Sequence, residues 1–165
     1  MTSRKITRTA ITITVAVLLG YIESLFPPIV PIPGIKLGIA NIVILFLIYT
    51  DSFKTTCTVS LLKVSLCSVL FGSVTSFIYS LGGAVISLLS MAVVKKMKFF
   101  SVIGVSCVGG IMHNLSQLLC AYFFLGKGVI ANLPVLFISG TVCGIVTGIA
   151  AQLIIKRGRS LFGER

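Results

Sequence analysis

Apolar residues run through this chain in long, nearly unbroken stretches, with polar and charged residues gathered at their ends. A helix needs about 20 apolar residues to cross the roughly 30 Å core of a bilayer. Six runs are predicted to be membrane-spanning helices, at 6–26, 37–49, 55–71, 74–94, 99–125 and 133–155. The junctions at 51–54, 95–98 and 126–132 carry turn and charge signals, and every junction is short. Residues 1–165 therefore read as a single transmembrane domain, an all-α integral membrane protein with six spans.

The second run is the irregular one. Its 13 residues cover only about 20 Å at 1.5 Å per residue. Ahead of it stands Pro27-Pro28-Ile29-Val30-Pro31-Ile32-Pro33-Gly34, whose prolines lack donors and clash with a helical turn. That segment reads either as irregular backbone dipping into the outer leaflet against protein, or as a rigid external loop. In the first reading Lys36 lies below the outer surface.

Composition agrees with the pattern: 56% of residues are hydrophobic and 10% charged, with mean hydropathy +1.14. The net charge of +11 is not a nucleic-acid signal, because the basic residues stand in clusters between apolar runs. With the N-terminus inside, Arg4, Lys5, Arg8, Lys54, Lys95, Lys96, Lys98, Lys156, Arg157, Arg159 and Arg165 are cytoplasmic. Only Lys36 and Lys127 fall outside, which predicts both termini in the cytoplasm. The first apolar run lacks a small-residue cleavage site, so it is read as a span and not as a signal peptide.

Polar residues inside the spans carry the candidate chemistry. Lys63 sits eight residues from either end of its run, where a lysine costs roughly 2.5–3.5 kcal/mol on insertion scales. It is either part of a functional site or a lysine that snorkels to the surface or pairs inside the bundle. His113, Asn114 and Gln117 lie near the middle of the fifth run, with His113 and Gln117 four apart on one helical face. Glu23 is late in the first run, Asn41 early in the second, and Ser73, Ser76 and Ser80 form a hydroxyl stripe at the start of the fourth. All of these fall between mid-depth and the outer face, as expected for a pocket open to the outside. Its candidate contacts are Glu23, Lys36, Asn41, Lys63, His113, Asn114 and Gln117, whose charges favour an anionic or zwitterionic ligand.

Small residues form two further stripes, Thr12/Ala16/Gly20 on the first span and Gly140/Gly144/Gly148 on the sixth. Such stripes permit close helix approach, for internal packing or for docking a partner. The five cysteines stand singly and make neither a disulfide frame nor a metal site. Glu23, Asp51 and Glu164, the only carboxylate side chains, are isolated, and the chain has no G-x-x-x-x-G-K-[ST] loop. Magnesium-dependent catalysis and ATP hydrolysis by that loop are thus excluded, and a transport role needs energy from another subunit. No catalytic residue, cofactor or metal is expected.

Several motifs carry a resemblance. They are Glu23-Ser24-Leu25-Phe26-Pro27, Pro33-Gly34-Ile35-Lys36-Leu37-Gly38-Ile39-Ala40-Asn41-Ile42-Val43 and Ser80-Leu81-Gly82-Gly83. The others are His113-Asn114-Leu115-Ser116-Gln117 and Ser139-Gly140-Thr141-Val142-Cys143-Gly144. In this order, along nearly the whole chain, they resemble the small bacterial membrane family called heptaprenyl diphosphate synthase component I, or Gx transporters. That family is grouped with the substrate-binding S components of energy-coupling factor (ECF) importers. The resemblance implies a six-helix S-component-like bundle in the bacterial plasma membrane that captures a small molecule from outside. It also implies docking on a transmembrane coupling protein with two ATPase subunits, through the helix-one stripe represented here by Thr12, Ala16 and Gly20. The alternative is a membrane accessory subunit associated with prenyl diphosphate or quinone metabolism, or with a redox system, without transport. Prenyl synthases use aspartate-rich magnesium motifs, and this chain has none, so synthase activity of its own is not expected.

Overall fold

A computed structural model describes residues 3–25 and 38–162. Among them are six α-helices and no strand: α1 Ser3–Leu25, α2 Asn41–Thr50, α3 Phe53–Phe71, α4 Val74–Lys96, α5 Val102–Leu125 and α6 Leu133–Phe162. A 3-10 helix, Lys127–Asn132, occupies the junction between α5 and α6. Five of the helices are long and apolar enough to cross a membrane, and α2 is a shorter apolar one. The chain is thus a helical, multi-pass membrane protein.

Short junctions need strong helix starts, and serine supplies three of them. Ser52, Ser73 and Ser101 precede α3, α4 and α5, and their side chains accept the backbone N–H of Thr55, Ser76 and Gly104 at 3.3, 3.2 and 3.2 Å. Each cap satisfies a donor that the first turn leaves open, worth about 1 kcal/mol. Ser73 is thereby an exposed cap and not part of a hydroxyl stripe facing a pocket.

The expected second span is shorter still. Gly38 takes φ +72°, in the left-handed region, and the chain turns there. Asn41 N–H donates to Gly38 C=O at 2.9 Å and Ile42 N–H to Ile39 C=O at 3.1 Å. The helix begins only at Asn41, so its ten residues rise about 15 Å. The proline segment and Lys36 lie outside the described residues. Apolar on every face, α2 is buried as such helices are. Its Val43, Ile44, Leu45, Leu47 and Ile48 form the centre of the main core, against Ala16, Val59, Leu88, Met91, Val105 and Ala151. The bundle is built around a helix that does not itself match a bilayer's thickness.

On the other side, α5 and α6 run antiparallel with almost no side chain between them. A β-carbon on Gly140 would stand 2.8 Å from Gly110 O, one on Gly144 2.6 Å from Cys107 Cα, and one on Gly148 2.8 Å from Ile103 Cα. The Gly140/Gly144/Gly148 stripe is therefore an internal packing surface.

Candidate functional site

Three charged side chains hold α2. Glu23, near the end of α1, accepts the Gly38 N–H on Oε1 at 2.6 Å, which sets a carboxylate at the entry to α2. Lys63 of α3 donates from Nζ to Asn41 Oδ1 at 3.1 Å, at the first residue of the helix. At the other end, Lys95 of α4 donates to the Ile48 carbonyl, and its ammonium lies 5.0 Å above the Tyr49 ring centroid. An anion at the N-terminus and a cation at the C-terminus both complement the helix dipole. Glu23, through Gly38, and Lys63, through Asn41, thus hold the same entry turn of α2.

Each polar residue of the fifth span has its own setting. Asn114 is buried, and its amide donates to Leu136 O at 2.9 Å and Ser139 Oγ at 3.1 Å, both on α6. That bond ties α5 to α6 close to the Gly110–Gly140 approach. His113 lies against α4: a β-carbon on Gly83 would stand 2.7 Å from its Cε1. Gln117 is 3% exposed, and neither Nε2 nor Oε1 has a hydrogen-bond partner among the described residues. The motif His113-Asn114-Leu115-Ser116-Gln117 therefore faces α4 with one residue, α6 with another, and leaves a third with unused bonding capacity.

The expectation that polar groups lie only from mid-depth outward is corrected. Ser106, near the start of α5, bonds Thr147 of α6 at 2.9 Å, and Ser87 donates to Gly109 O at 2.8 Å. Both are buried, and both reach backbone or hydroxyl groups that small residues bring close. These short side chains are weak sequence signals because serine and threonine also bond their own helix, as Thr147 does to Cys143 O at 2.8 Å. Lys95 was legible only as an orientation charge, and Gly38 only as one glycine of many.

Of the stripe Thr12, Ala16 and Gly20, Thr12 and Gly20 are half-buried. Ala16 is fully buried in the core around α2, and a β-carbon on Gly20 would stand 2.7 Å from Cys67 Sγ. The outward face of α1 is Ile11, Val15, Leu18 and Ile22. The five cysteines form no disulfide, and no group of three metal-ligating side chains occurs among the described residues.

No curated protein and no solved structure matches this chain. A family model does, over residues 12–154, a span that takes in Glu23, Asn41, Lys63, His113, Asn114 and Gln117. The chain belongs to the family described as heptaprenyl diphosphate synthase component I.

Proposed function

We propose that this chain is the substrate-binding subunit of an ECF-type importer in the bacterial plasma membrane, with six spans and cytoplasmic termini. The observation that carries the reading is Lys63, a cation in the middle of α3 bonded to Asn41 at the first turn of a ten-residue helix. A half-length helix with its N-terminus inside the bundle is a recurrent way of binding anionic groups in transporters. Lys63 and Glu23, of opposite charge on one turn, favour a small anionic or zwitterionic molecule, with His113, Asn114, Gln117 and Lys36 as further contacts. The orientation rests on the eleven-to-two distribution of basic residues. The α2 run counts as one of the six crossings.

The chain has no phosphate-binding loop for ATP, so a transmembrane coupling protein and ATPase subunits supply the energy. Docking falls to α1, where Thr12 continues the exposed ridge Ile11, Val15 and Leu18, while Ala16 and Gly20 back it against α3. The test is purification of the full chain, mass spectrometry of co-purifying small molecules, and the Lys63→Met variant. Wild-type protein is expected to retain an anionic or zwitterionic molecule that Lys63→Met loses, while the variant remains folded and monodisperse. Retention of the same molecule by the variant would sink the reading.

The family's description favours a second reading, an accessory subunit of a prenyl diphosphate synthase without catalysis of its own. It predicts that the chain co-purifies with a soluble synthase partner and raises its prenyl-transfer rate. Under either reading the chain alone turns over neither ATP nor prenyl diphosphates.

A further inference from the structure

Gln117 is the outlier among the buried polar groups of α5. Asn114 donates to α6, Ser106 pairs with Thr147, and yet the Gln117 amide has no partner at either atom among the described residues. An amide left in that state inside a protein is destabilising unless something else satisfies it. Its place along the bundle excludes α2 as the missing partner. A β-carbon on Gly38 would lie 3.7 Å from Thr147 Cγ2, so the entry to α2 is level with the Ser106–Thr147 bond. Gln117 stands 11 residues beyond Ser106 on α5, about 16 Å further along the helix. At that level the α4 backbone comes close to α5: Gly83 meets the His113 ring, and a β-carbon on Gly82 would stand 3.0 Å from Cys120 Sγ and 3.3 Å from Ser116 Oγ. A buried amide with both functions unused, beyond the reach of the central helix, is what one side of a ligand site looks like.

We propose that Gln117 reads a neutral donor–acceptor edge on the transported molecule, of the carboxamide, lactam, ureide or nucleobase type. The inference rests on the importer reading for the occupant and goes beyond it in naming a second chemical feature. A primary amide presents N–H and C=O side by side in one plane, and a cyclic amide edge returns both bonds. A diphosphate or an ionised carboxylate has acceptors only and leaves Oε1 unpaired; a prenyl chain leaves both atoms unpaired. Sites built to hydrogen-bond such a group reject analogues lacking it by about 10⁴–10⁵. A cargo that meets both Lys63, at the α2 entry, and Gln117 is elongated, since the two levels lie about 16 Å apart along the bundle.

The probe is the deproteinised small-molecule fraction of the expressing cells, passed over the immobilised full chain in detergent and analysed by mass spectrometry after washing. Wild-type protein is expected to retain a molecule with an amide-type edge. Gln117→Met, which removes both functions, and Gln117→Glu, which removes the donor, are each expected to retain at least tenfold less. Without added small molecules, Gln117→Met is expected to melt no lower than wild type, since it removes an unpaired buried amide. A melting point several degrees lower means that the amide is already satisfied structurally and overturns the proposal, as does undiminished retention by Gln117→Met. Retention of only donor-free anions that Lys63→Met loses overturns the edge and leaves the importer reading standing. Retention of nothing by wild-type protein overturns both.

Discussion

Where α5 crosses α6, the helices meet backbone to backbone, and the polar groups between them are neutral and mutually satisfied: Ser106 with Thr147, Asn114 with Leu136 and Ser139. Around α2 the contacts are made instead by long charged side chains from three different helices, Glu23, Lys63 and Lys95. The first arrangement is rigid because glycine leaves no side chain to rearrange, and packed interiors do not deform continuously. The second holds a ten-residue helix by its ends, through side chains with several rotatable bonds each. In lipid, apolar burial between helices adds little, so close packing and hydrogen bonds must hold the bundle. The α5–α6 seam uses both fully. The α2 region substitutes charge for packing at its ends, and Glu23, Asn41 and Lys63 lie there, whereas His113, Asn114 and Gln117 do not.

The comparison is broken most directly at the seam. Gly110→Val puts branched carbons where Gly140 O now lies, and overpacking costs about 1–3 kcal/mol, at the upper end where the neighbour is backbone that cannot give way. The variant is expected to lose monodisperse protein after detergent extraction, whereas Gly128→Val, at a position open within 4 Å, is expected to behave as wild type. Equal size-exclusion profiles for the two would mean that the seam is not the rigid half of the molecule.

That seam was half legible in the sequence. Gly140, Gly144 and Gly148 repeat at four-residue spacing, which marks a face for close approach but does not say which helix fills it. Its counterpart on α5, Gly110 with Cys107 and Ile103, has no repeat to find. Each of the six apolar runs corresponds to a helix, although α6 continues to Phe162, seven residues past the end of its run. The second run misled by four residues, since Gly38-Ile39-Ala40 is as apolar as the helix it precedes, and only the backbone turn at Gly38 ends the pattern. For the site, depth arithmetic grouped Glu23, Asn41 and Lys63 with Gln117, whereas in the fold the α2 entry lies level with the Ser106–Thr147 bond and Gln117 stands 11 residues beyond Ser106. It could not separate Asn114 from Gln117: residues three apart share a face only loosely, and the choice between α6 and the interior is made by helix rotation.

At the entry to α2, Glu23→Leu leaves the Gly38 N–H without its acceptor and removes the anion from the helix start. A loss of about 1–3 kcal/mol is expected. Since 1 kcal/mol lowers the melting point by roughly 2–4 °C for chains of this size, the drop is measurable by thermal unfolding in detergent. Glu23→Gln keeps an acceptor and should lose less. If the two variants melt alike, charge and not hydrogen bonding holds this end.

The opposite end gives a smaller effect. Lys95→Met removes the donor to Ile48 O and the contact with the Tyr49 ring but leaves a side chain of similar length. A cation at a helix C-terminus contributes about 0.3–1 kcal/mol, up to about 2 when partly buried. A melting point 1–5 °C lower is expected, with ligand retention unchanged, because Lys95 lies at the far end of α2 from Lys63. Loss of retention would show that both ends of α2 act on the site.

The smallest effect is expected where the bonding is neutral and doubled. Thr147→Val removes the hydroxyl that meets Ser106, but Thr147 also bonds Cys143 O within its own helix, so the present geometry already shares the group. Interhelical hydrogen bonds of this kind in membrane bundles average about 0.6 kcal/mol, with a maximum near 1.7. Ser106→Ala and the double variant complete a cycle from which the coupling is read directly. A coupling of about 0.5 kcal/mol is the expected result, with the single variants each within a few degrees of wild type. The near-isosteric valine keeps the packing against Gly38, 3.7 Å from a β-carbon built there, so any larger loss cannot be assigned to shape. A coupling above about 2 kcal/mol would reverse the contrast between the two regions. It would mean that the α5–α6 seam is held by this one polar pair, and that the glycine contacts merely permit the helices to reach it.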